Sequence, residues 1–178
     1  MSLNNGRCVP RSELTIYTDG ACEPNPGNAG CGLAVYRNGV LSELLYGLYH
    51  QGTSNTAELN ALFHALQIAA EETGNARIFS DSKYAINCIT KWADGWKAKN
   101  WQRRGGRPIK NLDIIKDAHD LFQQINHRVE VQHVTGHIGV QGNELADRMS
   151  VLAIDQRCSD LRVHEGIDIG SVLAMRAG

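Results

Sequence analysis

No apolar run in the 178 residues approaches the ~20 that a membrane-spanning helix needs, so a helical membrane protein is not expected. The opening MSLNNGRCVPRSE lacks the apolar segment of a secretory signal, which speaks against export. Cys8, Cys22, Cys31, Cys88 and Cys158 are scattered, odd in number and contain no C-x-x-C pair. That pattern fits neither a disulfide framework nor a zinc site, and reduced cysteines suit a cytoplasmic protein. No internal repeat and no low-complexity tract is visible. What remains is ordinary: 42% hydrophobic and 21% charged residues, the profile of one soluble globular domain.

The net charge of −1 hides an asymmetry. Lys91, Lys97, Lys99, Arg103, Arg104, Arg107 and Lys110 face only Asp94 within residues 91–110, a local +6 that leaves −7 for the rest of the chain. A basic patch on an acidic body suggests a polyanion engaged on one side. Trp92, Trp96 and Trp101 are interleaved with these cations. Packing within the segment's own helices would explain the tryptophans equally well, since Trp92 and Trp96 are four residues apart.

Periodicity predicts an α/β chain. A strand from Leu14 to Tyr17 ends at Asp19 and meets a dozen turn-prone residues before apolar residues resume at Leu33. Asn38-Gly39 between apolar runs predicts a hairpin, making the second and third strands antiparallel. NTAELNALFHALQIAAEE predicts a helix, with Asn55 and Glu58 resembling a capping box. ARIFSDS reads as a strand, SKYAINCITKWA and NLDIIKDAHDLFQQI as helices, RVEVQHV as a last strand and GNELADRMSVLAI as a last helix. The expected architecture is a five-stranded mixed sheet, three antiparallel strands then parallel ones, with helices on both faces. Residues 1–12 read as an N-terminal tail, 13–154 as the domain with a basic protrusion at about 91–111, and 155–178 as a C-terminal tail whose order is left open.

In such a sheet, sites form beyond the carboxyl ends of the strands. Asp19 ends the first strand and Asp81 the fourth. As parallel neighbours, the two carboxylates would repel unless a proton or a cation lay between them. For hard oxygen ligands the fitting cations are Mg²⁺ and Mn²⁺. Each residue alone admits a structural role. Asp19 can serve a turn, Asp81 can cap a helix with Ser82, and Glu58 can complete a capping box. Asp147 can be a solvated helix aspartate, and His137 incidental in a glycine-flanked loop.

Taken in order and spacing, TIYTDGACEPNPGNAGCG, SNTAEL, FSDSKYA and VTGHIGVQGNELAD closely resemble ribonuclease H of type 1, from about Glu13 to Ala153. The resemblance implies endonucleolytic hydrolysis of the RNA strand of an RNA/DNA hybrid. It places the family's acidic residues on Asp19, Glu58, Asp81 and Asp147, holding two Mg²⁺ ions or possible Mn²⁺, and its loop histidine on His137. It also implies that the Gly20, Cys22 and Asn25 stretch reads the RNA strand, with Asn25 and Asn55 in the minor groove. Thr53 and Asn111 match a DNA-phosphate pocket, and Trp92, Trp96, Lys97 and Lys99 a protrusion that contacts the DNA strand. Lys83 stands where glutamine is common, a departure at a contact position, and Asn143 completes the expected contacts. The implied protein is a monomer acting alone. The alternatives are a catalytically inactive hybrid-binding module and a same-fold metal nuclease acting on other nucleic acid.

Overall fold

The computed structural model describes residues 13–103 and 105–178. The expected N-terminal tail 1–12, and Arg104, lie outside the described residues. Strands β1 (Glu13–Glu23), β2 (Gly27–Arg37) and β3 (Val40–Gly52) form an antiparallel meander. Asn38 and Gly39 join β2 to β3 with φ of 53° and 78°, the two positive values that a tight hairpin turn of matching twist demands. Helix α1 (Ser54–Glu71) carries the chain back so that β4 (Asn75–Ser80) lies parallel to β1, and β5 (Val129–His133) lies parallel to β4.

The sheet has six strands, in the order β5-β4-β1-β2-β3-β6, not the five expected. The sixth, β6 (Arg162–Val163), pairs its backbone with Leu45 and Tyr46 along the outer edge of β3. Two exposed residues carry no alternation for a sequence to display. Their backbone covers an edge that would otherwise present unpaired amides and carbonyls.

Apolar residues alternate between the two faces of the sheet. Leu14, Ile16 and Leu33 pack against α1 and α4 (Leu112–Ile125), while Ala34, Leu44 and Tyr46 pack against α5 (Gln141–Gln156) and α6 (Ile169–Leu173). The single helix expected after β4 is a composite of α2 (Lys83–Asn87), a π-helical turn over Cys88–Trp92, and α3 (Ala93–Lys97). The cap of α1 is also corrected. Thr53, not Asn55, is the N-cap, and its hydroxyl accepts from the Thr56 amide at 3.2 Å, which places Glu58 beyond the reach of a capping box with Asn55.

The long turn expected after Asp19 is absent. β1 runs on to Glu23, the connection is only Pro24–Pro26, and Asp19 faces Gly32 across the ladder. The glycines read as turn residues are instead points of close approach. A Cβ on Gly32 would lie 2.0 Å from the Ala146 carbonyl oxygen, and one on Gly20 would lie 2.4 Å from the Glu58 amide nitrogen. These positions admit no side chain, so α5 and α1 close on β1 and β2 from the two faces. What does end near Asp19 is the parallel pairing of β1 with β4, whose last partners are Thr18 and Ser80.

Candidate active site

Asp19 and Asp81 each follow the last parallel pair by one residue, so both carboxylates stand where β4 stops, at the carboxyl end of the parallel strands. α1 adds Glu58. One oxygen from each of Asp19, Glu58 and Asp81 lies within 4.8 Å of the others, and a second group of the same compactness joins His137, Glu144 and Asp147. Asp19, Glu58, Asp81, His137 and Asp147 line one pocket of about 360 Å³, with Gly20 and Cys22 in its wall. Thus the five residues singled out in the sequence for chemistry meet in one place.

The pocket holds its carboxylates under strain. Burial pushes Asp19 up to about 7, with the charges of Asp81 and Asp147 adding to the rise and hydrogen bonds from Ser150 and Gly20 opposing it. Burial also raises Glu58 well above the ordinary carboxylate range, with Asp19 and Asp81 contributing. Glu58 Oε2 is buried without a hydrogen-bond partner among the described residues. Clustered hard oxygens, one of them unsatisfied, are a donor set suited to a hard divalent cation.

Asp147, which alone reads as a solvated helix aspartate, is only 2% exposed because α5 lies flat on β1 and β2. Arg148 donates to its Oδ2, and the Gly178 amide donates to its Oδ1 at 3.1 Å. Arg148 also lies 3.6 Å from Glu144. One turn along α5 from Asp147, the fully buried Ser150 hydroxyl donates to Asp19 Oδ2 at 3.0 Å. Sequence reasoning missed Ser150, although its i+3 spacing from Asp147 puts both on one helix face. It also missed Arg148, Glu144 and the approach of Gly178.

The expected contact residues divide into groups. Asn25 donates to Ser54 Oγ at 2.8 Å, tying the β1–β2 turn to the start of α1. Thr53 and Asn111 are joined through Thr56, whose hydroxyl is 3.0 Å from that of Thr53 and donates to Asn111 Oδ1 at 3.1 Å. Asn55, Tyr84, Trp92, Trp96 and Arg103 line a groove of about 520 Å³. Trp92 is 43% exposed, its ring 5.9 Å from that of Trp96. Lys97 pairs with Asp120 at 2.7 Å, and Lys83 and Lys99 are exposed. Asn143 is turned inward, buried, with its amide 3.4 Å from Asp81 Oδ2.

Fold and pocket together define a mixed α/β protein whose carboxylates gather at the end of a parallel strand pair. A family model described as RNase H matches residues 11–155. Ribonuclease H of Acidovorax sp. (strain JS42) is 39% identical over 145 residues, 82% of this chain and 97% of that protein. The chain belongs to the ribonuclease H family. Its fold is that of LC9-RNase H1, a type 1 RNase H with the type 2 active-site motif, at TM-score 0.69 and 23% identity, covering 94% of this chain and 87% of that one. It is also that of LC11-RNase H1, solved in complex with RNA/DNA hybrid, at TM-score 0.61 and 19% identity, covering 81% and 98%. Among the described residues, no helix is long and apolar enough to cross a membrane.

Proposed function

We propose that the protein is an endoribonuclease that hydrolyses the RNA strand of RNA/DNA hybrids and works as a monomer. The observation that carries this reading is the compact carboxylate cluster of Asp19, Glu58 and Asp81, in a chain of this family. Asp19, Glu58, Asp81 and Asp147 are the residues that would hold two Mg²⁺ ions, or Mn²⁺. Such ions supply an activated water for attack on phosphorus and neutralise charge on the leaving 3′-oxygen. Breaking the P–O3′ bond leaves a 5′-phosphate and a 3′-hydroxyl. His137, exposed on the loop before α5 and lining the same pocket, suits proton transfer to the leaving group or product departure.

Ser150 is a positioning residue in this scheme. Its hydroxyl holds one Asp19 oxygen, Oδ2, in place. Ser150→Ala is expected to raise the Mg²⁺ concentration at half-maximal rate about three- to tenfold while the fold persists, since a hydrogen bond of this kind contributes a net stabilisation of about 0.5–1.5 kcal/mol. A Mg²⁺ titration of the cleavage rate measures this, and an unchanged midpoint would remove Ser150 from the site.

The stretch Gly20 to Asn25 forms one wall of the pocket and the turn beside it, where backbone groups can meet the RNA strand's 2′-hydroxyls, the feature that separates RNA from DNA. Asn55 and the tryptophan groove continue this surface toward the basic protrusion, with the Thr53–Thr56–Asn111 group beside them. Exposed cations there neutralise DNA phosphates and fix orientation. Replacing Lys97, Lys99, Arg103 and Arg104 together with alanine is expected to weaken hybrid binding and flatten the slope of log K against log salt by up to about four, with kcat largely kept. An unchanged slope would take the protrusion off the binding surface.

The test is cleavage of end-labelled RNA/DNA, RNA/RNA, DNA/DNA and single-stranded RNA of one sequence in Mg²⁺. Cleavage confined to the RNA of the hybrid is the expected result. Hybrid binding without cleavage would make the protein a binding module, and cleavage of DNA duplexes a nuclease of the same fold with another substrate.

A further inference from the structure

The chain after α5 does not trail away from the site. It passes β6, and α6 then plugs into the α5 face of the sheet, with Val172 buried against the same cluster as Met149 and Ala153. From this anchor, residues 174–178 run across the mouth of the carboxylate pocket. Arg176 donates to Glu23 at 2.6 Å and to Asp155 at 2.7 Å, bridging the end of β1 to the end of α5. Two residues later the Gly178 amide donates to Asp147 Oδ1 at 3.1 Å, and Arg176, Ala177 and Gly178 line the pocket together with Gly20 and Cys22.

We infer that residues 174–178 are an intrachain strap that competes with both the divalent cation and the nucleic acid for this pocket, and that it must lift before either is bound productively. The inference rests on the proposed ribonuclease reading for its nucleic-acid half. Two independent contacts support it. The Asp147 oxygen that Gly178 occupies is one a cation needs free, and the β1 surface beneath Arg176 is the stretch assigned above to the RNA strand. The strap is built to release. Its Arg176 pairs are half-exposed, where ion pairs hold weakly, whereas the α6 anchor is buried and stays. A resting state of this kind lowers the apparent affinity of every competitor in proportion to the fraction of molecules with the strap lifted.

The test uses the full chain, a variant ending at Leu173, and Arg176→Ala, which keeps α6 and the chain length. Mn²⁺ affinity is read by calorimetry without nucleic acid, and hybrid KM and kcat in Mg²⁺. Both variants are expected to bind Mn²⁺ and hybrid about five- to thirtyfold more tightly, with kcat little changed, the ratio being that of a strap closed in most resting molecules. Equal or weaker Mn²⁺ binding in both variants would overturn the strap. If neither the full chain nor the variants cleave any duplex, the ribonuclease reading falls while the Mn²⁺ affinities still decide the strap.

Discussion

Asp19→Asn is expected to abolish cleavage, by at least about a thousandfold, and in the same protein to raise metal-free stability at pH 8 by about 2–4 kcal/mol. The two effects share one cause. Asp19 sits at about 7 in the fold, against about 3.9 in an unfolded chain. Below roughly pH 4 both states hold the proton and the group adds no pH dependence. Between there and pH 7 the folded state keeps a proton that the unfolded state releases, so stability falls as pH rises. Above the folded value of about 7 the full cost of burying the charge, about 4 kcal/mol, is in place. Glu58 adds in the same direction. Asparagine retains an acceptor for Ser150 but never ionises, so it escapes the Asp19 share. Urea unfolding in EDTA at pH 5 and pH 8 measures the difference. Mg²⁺ should stabilise the wild type and leave the variant nearly unmoved. A variant less stable than wild type at pH 8 without metal would contradict a pocket that holds Asp19 ionised against the cost of burial and the repulsion of its neighbours.

Gly32→Ala should be the most damaging conservative change away from the carboxylates. The new Cβ would fall 2.0 Å from the Ala146 carbonyl oxygen and 2.4 Å from the Ser150 amide nitrogen, both backbone atoms of α5. A helix cannot yield locally there, so α5 must shift off β2, at about 3 kcal/mol or more. The shift moves Asp147 and Ser150 away from Asp19, so cleavage falls beyond what lost folding explains. Chemical denaturation gives the stability, and the rate is read under conditions where the variant remains folded. A cost below about 1 kcal/mol would mean that α5 does not rest on this glycine.

Much of this site was legible before the fold. Asp19 and Asp81 each close an apolar run, and parallel pairing of those runs suffices to bring them together. Glu58 falls within the helix that periodicity predicts, and the resemblance alone set it apart from a capping role. What escaped has definite physical reasons. Glycines that spare room for a packing helix look the same in sequence as glycines that turn a chain, and so β1 was cut short at Asp19. Asp147 reads as solvated because a helix aspartate reveals nothing of which face is covered until the sheet beneath is known. Strand β6 and the run from Ala174 to Gly178 are held by backbone hydrogen bonds, half-exposed ion pairs and one buried valine, and such contacts leave no periodic signature.

The most direct test of the central claim is end-group analysis of a single hybrid, its RNA strand labelled, cut first in EDTA and then in Mg²⁺. No cleavage is expected in EDTA, and in Mg²⁺ RNA fragments bearing 3′-hydroxyl and 5′-phosphate ends are expected beside an intact DNA strand. RNA cleaved equally well in EDTA, leaving 2′,3′-cyclic phosphate ends, would show that the carboxylates around Asp19 are not a metal-dependent hydrolytic centre.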